Sequence, residues 1–122
     1  MTLKVFTPLE ATRTLPLVRR IVHDVLQRGQ ELTKAGPSPA RQQELVTELD
    51  ELFAELEQIG CTFRCPNFEV GLVDFPGVIE GQLVHLCWRD DEVDLRYYHA
   101  PEAGFAGRKL IPAELLAPQR VS

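Results

Sequence analysis

The chain is poor in serine and in aromatic side chains, and it has no long apolar run. Serine occurs only at Ser38, where a helix begins, and at the terminal Ser122, so a serine nucleophile has no convincing place. No apolar run approaches the ~20 residues of a membrane helix. The opening "MTLKVFTPLEA" lacks the apolar core and cleavage pattern of a secretory signal. There is no Walker loop and no dinucleotide fingerprint; Gly104-Phe105-Ala106-Gly107 is too short for either. A basic cluster is also missing. The chain has 13 basic and 18 acidic residues, for a net charge of -5. Both halves share the excess, 7 against 9 up to Gly60 and 6 against 9 beyond. That argues against a surface that tracks nucleic-acid phosphates. A cytoplasmic location is expected, with neither nucleic acid nor membrane as partner. The three cysteines, Cys61, Cys65 and Cys87, are an odd count, so structural disulfides are not expected in a reducing compartment. Cys61-x-x-x-Cys65 has no second pair to complete a zinc signature. No cofactor is predicted.

What is present suits one α+β domain over residues 1–122, a length that can bury a core without disulfides or metals. Hydrophobic residues make up 44% and charged residues 25%, the balance of a soluble globular domain. Residues 8–60 read as a long antiparallel helical hairpin. Thr7, Pro8 and Glu10 form a capping-box start. Ala11, Leu15, Val18, Val22, Val25, Gly29 and Leu32 follow at spacings of three and four, one apolar stripe. Pro16 predicts a kink or a restart there. "AGPSP" breaks the helix, and Leu45, Leu49, Leu52, Leu56 and Ile59 build the second stripe before Gly60. The stripe either covers a sheet or forms an assembly surface.

Residues 61–122 read as a small antiparallel β-meander, a glycine-rich loop and a short helix in "IPAELLA". Three strands are expected, roughly Gly71–Ile79, Gln82–Trp88 and Val93–Tyr98. Setting Ile79 opposite Gln82 and Trp88 opposite Val93 separates two faces. Val73, Phe75, Val84, Leu86, Trp88, Val93, Leu95 and Tyr97 form the core face. Asp74, His85, Cys87, Arg89, Asp94 and Arg96 form the reverse. In that register Asp74 and His99 point to opposite faces. They can meet only if Pro76-Gly77 makes a bulge that carries Asp74 across the sheet.

"GLVDFP" (71–76), "LCWR" (86–89), Glu92, "YYH" (97–99) and "GFAGR" (104–108) together resemble domain-of-unknown-function family 2203. "FTPLEA" with "LPLVRR" is similar to that family's first helix. The family more often has tryptophan at the position of Tyr98 and Pro–Gly-type residues around Asp91 and Val93, and Cys61 and Cys65 stand outside its pattern. The resemblance implies a small bacterial cytoplasmic protein and no particular activity.

Three functions stay open. The first is a homodimeric binding module that holds a small anionic ligand at Arg89, His99 and Arg108. There Gly104 and Gly107 would shape a concave nest of amides around Phe105. Alternatively, the same loop is only a corner, with Phe105 in the core and Arg108 paired with Glu92 or Asp74. The second is a small hydrolase- or isomerase-like enzyme that uses Asp74 or His99 as its acid–base group. The third is a helical-hairpin scaffold with no ligand. The ligand candidates are Asp74, Arg89, Glu92, His99 and Arg108, with Asp74, Glu92 or His99 as possible metal ligands.

Overall fold

The computed structural model describes residues 4–34, 36–64 and 67–117. Two helices, α1 (Pro8–Thr33) and α2 (Pro39–Ile59), precede five strands. These are β1 (Thr62–Phe63), β2 (Leu72–Ile79), β3 (Gln82–Arg89), β4 (Tyr97–His99) and β5 (Lys109–Leu110). The strands form one antiparallel sheet in the order β1-β2-β3-β4-β5, so the α+β hairpin-on-meander fold is as read from the sequence. The two-residue edge strands β1 and β5 were not foreseen. Short edges offer little template for pairing with another chain. Among the described residues no helix is long and apolar enough to cross a membrane.

The capping box opens α1 as expected. Thr7 Oγ1 accepts from the Glu10 amide at 3.1 Å, and Glu10 Oε1 accepts from the Thr7 amide at 3.0 Å. Pro16 does not restart the helix, because α1 is continuous from Pro8 to Thr33. The proline stands on the exposed side, where water can satisfy the carbonyl it leaves without a donor. Ser38 caps α2, and Gly60 ends it in the left-handed conformation, φ 108°. Ion pairs Arg28–Glu48 and Arg41–Glu31 cross between the helices in antiparallel order. Both apolar stripes are used within the chain. Ala11, Leu15, Val18, Val22 and Val25 join Leu49 and Leu56 in one core with Val73, Phe75, Leu86 and Trp88. An assembly surface built on Leu49 is therefore not available, since only 4% of it is exposed.

The β2–β3 hairpin has the expected register, Ile79 opposite Gln82 and Asp74 opposite Cys87. Its turn needs positive φ at both residues, 52° at Glu80 and 79° at Gly81, which twists a two-residue loop to match the strands. The third strand is different. The expected register would put His85 opposite Arg96, whereas His85 pairs with His99, three residues further on. An odd offset exchanges the faces of a strand. Tyr97 and His99 therefore lie on the reverse face with Cys87 and His85, and Tyr98 takes the core side beside Leu86. Asp90–Arg96 is a wide loop that absorbs the offset. The Trp88 indole donates to the Glu92 carbonyl at 2.8 Å, and the Arg89 amide donates to Glu92 Oε1 at 2.7 Å. Leu95 is buried as expected, but Val93, expected in the core, is 74% exposed. The "IPAELLA" helix is one 3-10 turn, Ala113–Leu115.

Candidate functional site

The corrected register brings Asp74 and His99 together without any bulge, because β2 pairs continuously with β3 through Pro76 and Gly77. Asp74, in the middle of β2, is 8% exposed, and His99, at the end of β4, is 3% exposed. His99 Nε2 lies 3.3 Å from Asp74 Oδ1. His99 Nδ1 lies 2.8 Å from the Ala100 carbonyl. A carbonyl only accepts, so Nδ1 carries the hydrogen and the ring is fixed in orientation. Nε2 faces Asp74 Oδ1, and unless a hydrogen lies between them both atoms are acceptors. Something positive must lie between the two acceptors, either a proton or a metal ion.

Cys87, opposite Asp74 and 2% exposed, completes the group. One donor atom each from Asp74, Cys87 and His99 lies within 4.8 Å of the others. Burial, and after it the negative charge of Asp74, push the Cys87 thiol up to about 12. His85 approaches from the rim, its Nδ1 3.5 Å from Asp74 Oδ2, and its ring meets that of His99 edge to face at 5.2 Å. Arg64, just after β1, donates Nε–H to the same Oδ2 at 3.2 Å. A cavity of about 350 Å³ opens over this cluster, walled further by Leu72, Pro101, Gly104 and Phe105.

The arginines expected to hold an anion are occupied. Arg108 Nη2 meets Glu92 Oε1 and Oε2 at 2.6 and 2.8 Å, and the Cys87 carbonyl at 3.3 Å. Its guanidinium stacks on the Tyr97 ring at 3.9 Å and on Phe105 at 4.6 Å. Arg89 is paired with Asp91, whose carboxyl is held below its usual range by that hydrogen bond. The glycine loop is no open nest either. Gly104 has φ 68°, but the Gly107 and Arg108 amides are spent on the carbonyls of Gly104 and Phe105. The corner reading is nearer, with Arg108 on Glu92. Phe105, though, is 41% exposed and walls the cavity instead of entering the core. Glu92 faces Arg108 and is outside the three-residue donor group, leaving Asp74 and His99 as its sequence-predicted members.

The sequence placed Cys87 and His85 beside Asp74 and named His99 separately; what it did not show is that His99 joins them and that Arg64 pairs with Asp74. Asp74 opposite Cys87 and diagonal to His85 was the available signal. Cys65 lies outside the described residues, so the Cys61–Cys65 spacing has no structural counterpart to weigh. Cys61 is buried and its thiol accordingly pushed up to about 12.

Residues 4–111 match the family model described as "Uncharacterized conserved protein (DUF2203)". No match was found among curated proteins or among solved structures.

Proposed function

The chain belongs to the DUF2203 family of uncharacterised conserved proteins, and we propose that it is a metal-binding protein whose centre is Asp74, Cys87 and His99. The observation that carries this reading is that one donor atom each from buried Asp74, Cys87 and His99 lies within 4.8 Å of the others, with the His99 ring oriented by the Ala100 carbonyl. A hydrogen bond on the second ring nitrogen is how proteins orient a ligating imidazole. Thiolate, imidazole and carboxylate suit zinc, whereas magnesium and calcium call for oxygen ligands alone. Asp74, Cys87 and His99 line the cavity and would supply three ligands, so a fourth would be left to a substrate or a water that the metal would polarise. The class of chemistry favoured is therefore hydrolytic.

An acid–base dyad without metal is the weaker reading. His99 has one nitrogen on Ala100 and the other on Asp74, so none is left to exchange a proton with a substrate. Asp74 meets His99 on Oδ1, and Arg64 and His85 on Oδ2. The arginine-held anion site expected from the sequence loses its cations to Glu92 and Asp91 in the same way.

The test is metal titration of the chelator-stripped protein. One zinc or cobalt(II) ion per chain is expected, with submicromolar affinity, a raised melting temperature and sulfur-to-cobalt charge-transfer absorption. Absence of that absorption, or binding no tighter than millimolar, defeats the proposal.

Self-association is a second reading, and one observation favours it. Leu83 is 67% exposed and pairs with Val78 on the outer face, next to the Pro76–His85 pair. Half-buried Val78 and Pro76 flank it on that face, so this is where a second copy would sit. Light scattering at micromolar concentration is expected to give a dimer mass, and Leu83→Lys a monomer mass. A wild-type monomer removes this reading.

A further inference from the structure

Three features converge on Phe68, in the loop between β1 and β2, and the metal centre uses none of them. Gly29 sits in the apolar stripe of α1, where a Cβ would stand 2.2 Å from Phe68 Cγ. Phe68 itself has φ 59°, a left-handed backbone that a bulky side chain adopts only under constraint. Gln30 supplies part of that constraint, donating Nε2–H to the Phe68 carbonyl at 3.1 Å. A ring placed this way merely to cover the core would be buried. Phe68 is half-buried, and it walls a cavity of about 780 Å³.

The floor of that cavity belongs to the core, for Leu56 and Cys61 line it and are 1% and 4% exposed. Phe53 and Phe63 are its other aromatic walls. Phe63 pairs with Val73 on the helix-covered face, whereas Thr62 pairs with Asp74 on the reverse face. The aromatic cavity and the donor cluster therefore lie on different sides of the sheet. The Phe68 ring is inclined 18° to that of Phe53 and 27° to that of Phe63, with centroids 6.5 and 6.3 Å away. Rings so aligned present a flat aromatic wall, which favours a flat partner.

Neither charged residue of the lining serves the floor. Glu57 is exposed on α2, and Arg64 is half exposed and bonded to Asp74. The Cys61 thiol is turned to the Leu56 carbonyl at 3.6 Å. A charged ligand would lose its water there without a counter-ion. The volume suits a small molecule, whose sites span ~300–1,000 Å³. We infer that this cavity is a second ligand site, one that takes an uncharged, flat aromatic molecule, with Phe68 as its stacking wall. The inference does not rest on the metal reading.

The experiment titrates 2-naphthol, decahydro-2-naphthol and 2-naphthoate into the full chain at neutral pH, with and without zinc, following heat. The three probes share a ten-carbon frame and differ in flatness and charge. Micromolar binding of 2-naphthol is expected, at least fivefold tighter than its saturated counterpart, at least tenfold tighter than 2-naphthoate, and equal with and without zinc. Phe68→Leu keeps an apolar wall and removes the flat face. It should lose 2-naphthol affinity at least tenfold and change decahydro-2-naphthol affinity less than twofold. Gly29→Ala, whose methyl displaces the Phe68 ring, should weaken 2-naphthol in the same way in protein that melts cooperatively. Binding of 2-naphthol no tighter than millimolar, or indifference to Phe68→Leu, overturns the inference. Equal affinity for the saturated or the charged probe overturns the ligand class, and binding that depends on zinc overturns the second site.

Discussion

Asp74→Asn should lower zinc and cobalt affinity by at least about 100-fold, the upper end of what even an indirect, outer-shell partner is worth, while leaving the metal-free protein as stable as the wild type. The two halves of that result come from one geometry. An asparagine keeps the shape of the side chain and replaces one oxygen with an N–H donor. That donor can face His99 Nε2, the ring nitrogen not engaged by the Ala100 carbonyl. In the metal-free protein the asparagine N–H takes the place of the hydrogen between Oδ1 and Nε2, an ordinary hydrogen bond worth about 1 kcal/mol. On its other side the amide gives up the ion pair with Arg64, whose side chain is half exposed, and pairs of that kind contribute little. The anionic ligand is gone, however, and a thiolate and one imidazole remain. The outcome separates two roles for the carboxylate. If Asp74 exists to hold a doubly protonated His99, the amide strands a buried charge, and the metal-free melting temperature falls. If it exists to hold a metal, only the metal is lost. Cys87→Ser supplies the spectroscopic control: the sulfur-to-cobalt absorption disappears, whatever weak binding survives. Unchanged metal affinity in both variants would leave the centre without a role.

Much of the architecture was legible because periodicity survives in the sequence. The spacing from Ala11 to Val25 and from Leu45 to Ile59 marks two helices. Glu80-Gly81 marks a hairpin whose register follows from its two-residue turn. The site was half legible for a definable reason. The Asp90–Arg96 loop has polar residues at 90, 91, 92, 94 and 96, with apolar Val93 and Leu95 between them. This alternation imitates a strand, so the pattern extends β4 backward by four residues and sets it out of phase. The true boundary depends on hydrogen bonds between positions far apart in pattern terms, such as the Trp88 indole to the Glu92 carbonyl and the Gly71 amide to the Asp90 carboxylate. No local propensity reports such bonds. The odd offset moved His99 to the face of Asp74, so an error of three residues at a loop was also an error about chemistry. The arginines were misread for a related reason. Arg89 and Arg108 are cations in the sequence, but their carboxylate partners are fixed by that same loop, which places Asp91 and Glu92 against them.

Glu92→Ala should cost roughly 3 kcal/mol of folding stability, the lower end of what breaking a buried pair costs, and lower the melting temperature by about 10 °C. The side chain of Glu92 is 16% exposed and that of Arg108 is 12% exposed, so both charges are largely withdrawn from water. Removing the carboxylate takes both of its bonds from Arg108 Nη2 and one from the Arg89 amide. What is left is a guanidinium between Tyr97 and Phe105 with the Cys87 carbonyl as its one acceptor among the described residues. Its Nε is already buried without a partner among the described residues, so there is no spare acceptor to absorb the loss. Arg108→Ala should destabilise comparably. The anion-site reading requires the opposite, a metal-free melting temperature indifferent to Arg108. The pair can be taken apart by a cycle. Arg108→Met keeps the stem that packs on Tyr97 and removes the charge, so Glu92→Gln combined with Arg108→Met should cost less than the two separate changes added together. The loop that these groups close sets the phase of β4, so Glu92→Ala should also weaken metal binding, even at temperatures where the protein remains folded. Chemical denaturation of the single and double variants, with cobalt titration of each in the cold, measures both effects. Additive stabilities with unaltered cobalt affinity would mean that Glu92 and Arg108 neither depend on each other nor hold His99 in place.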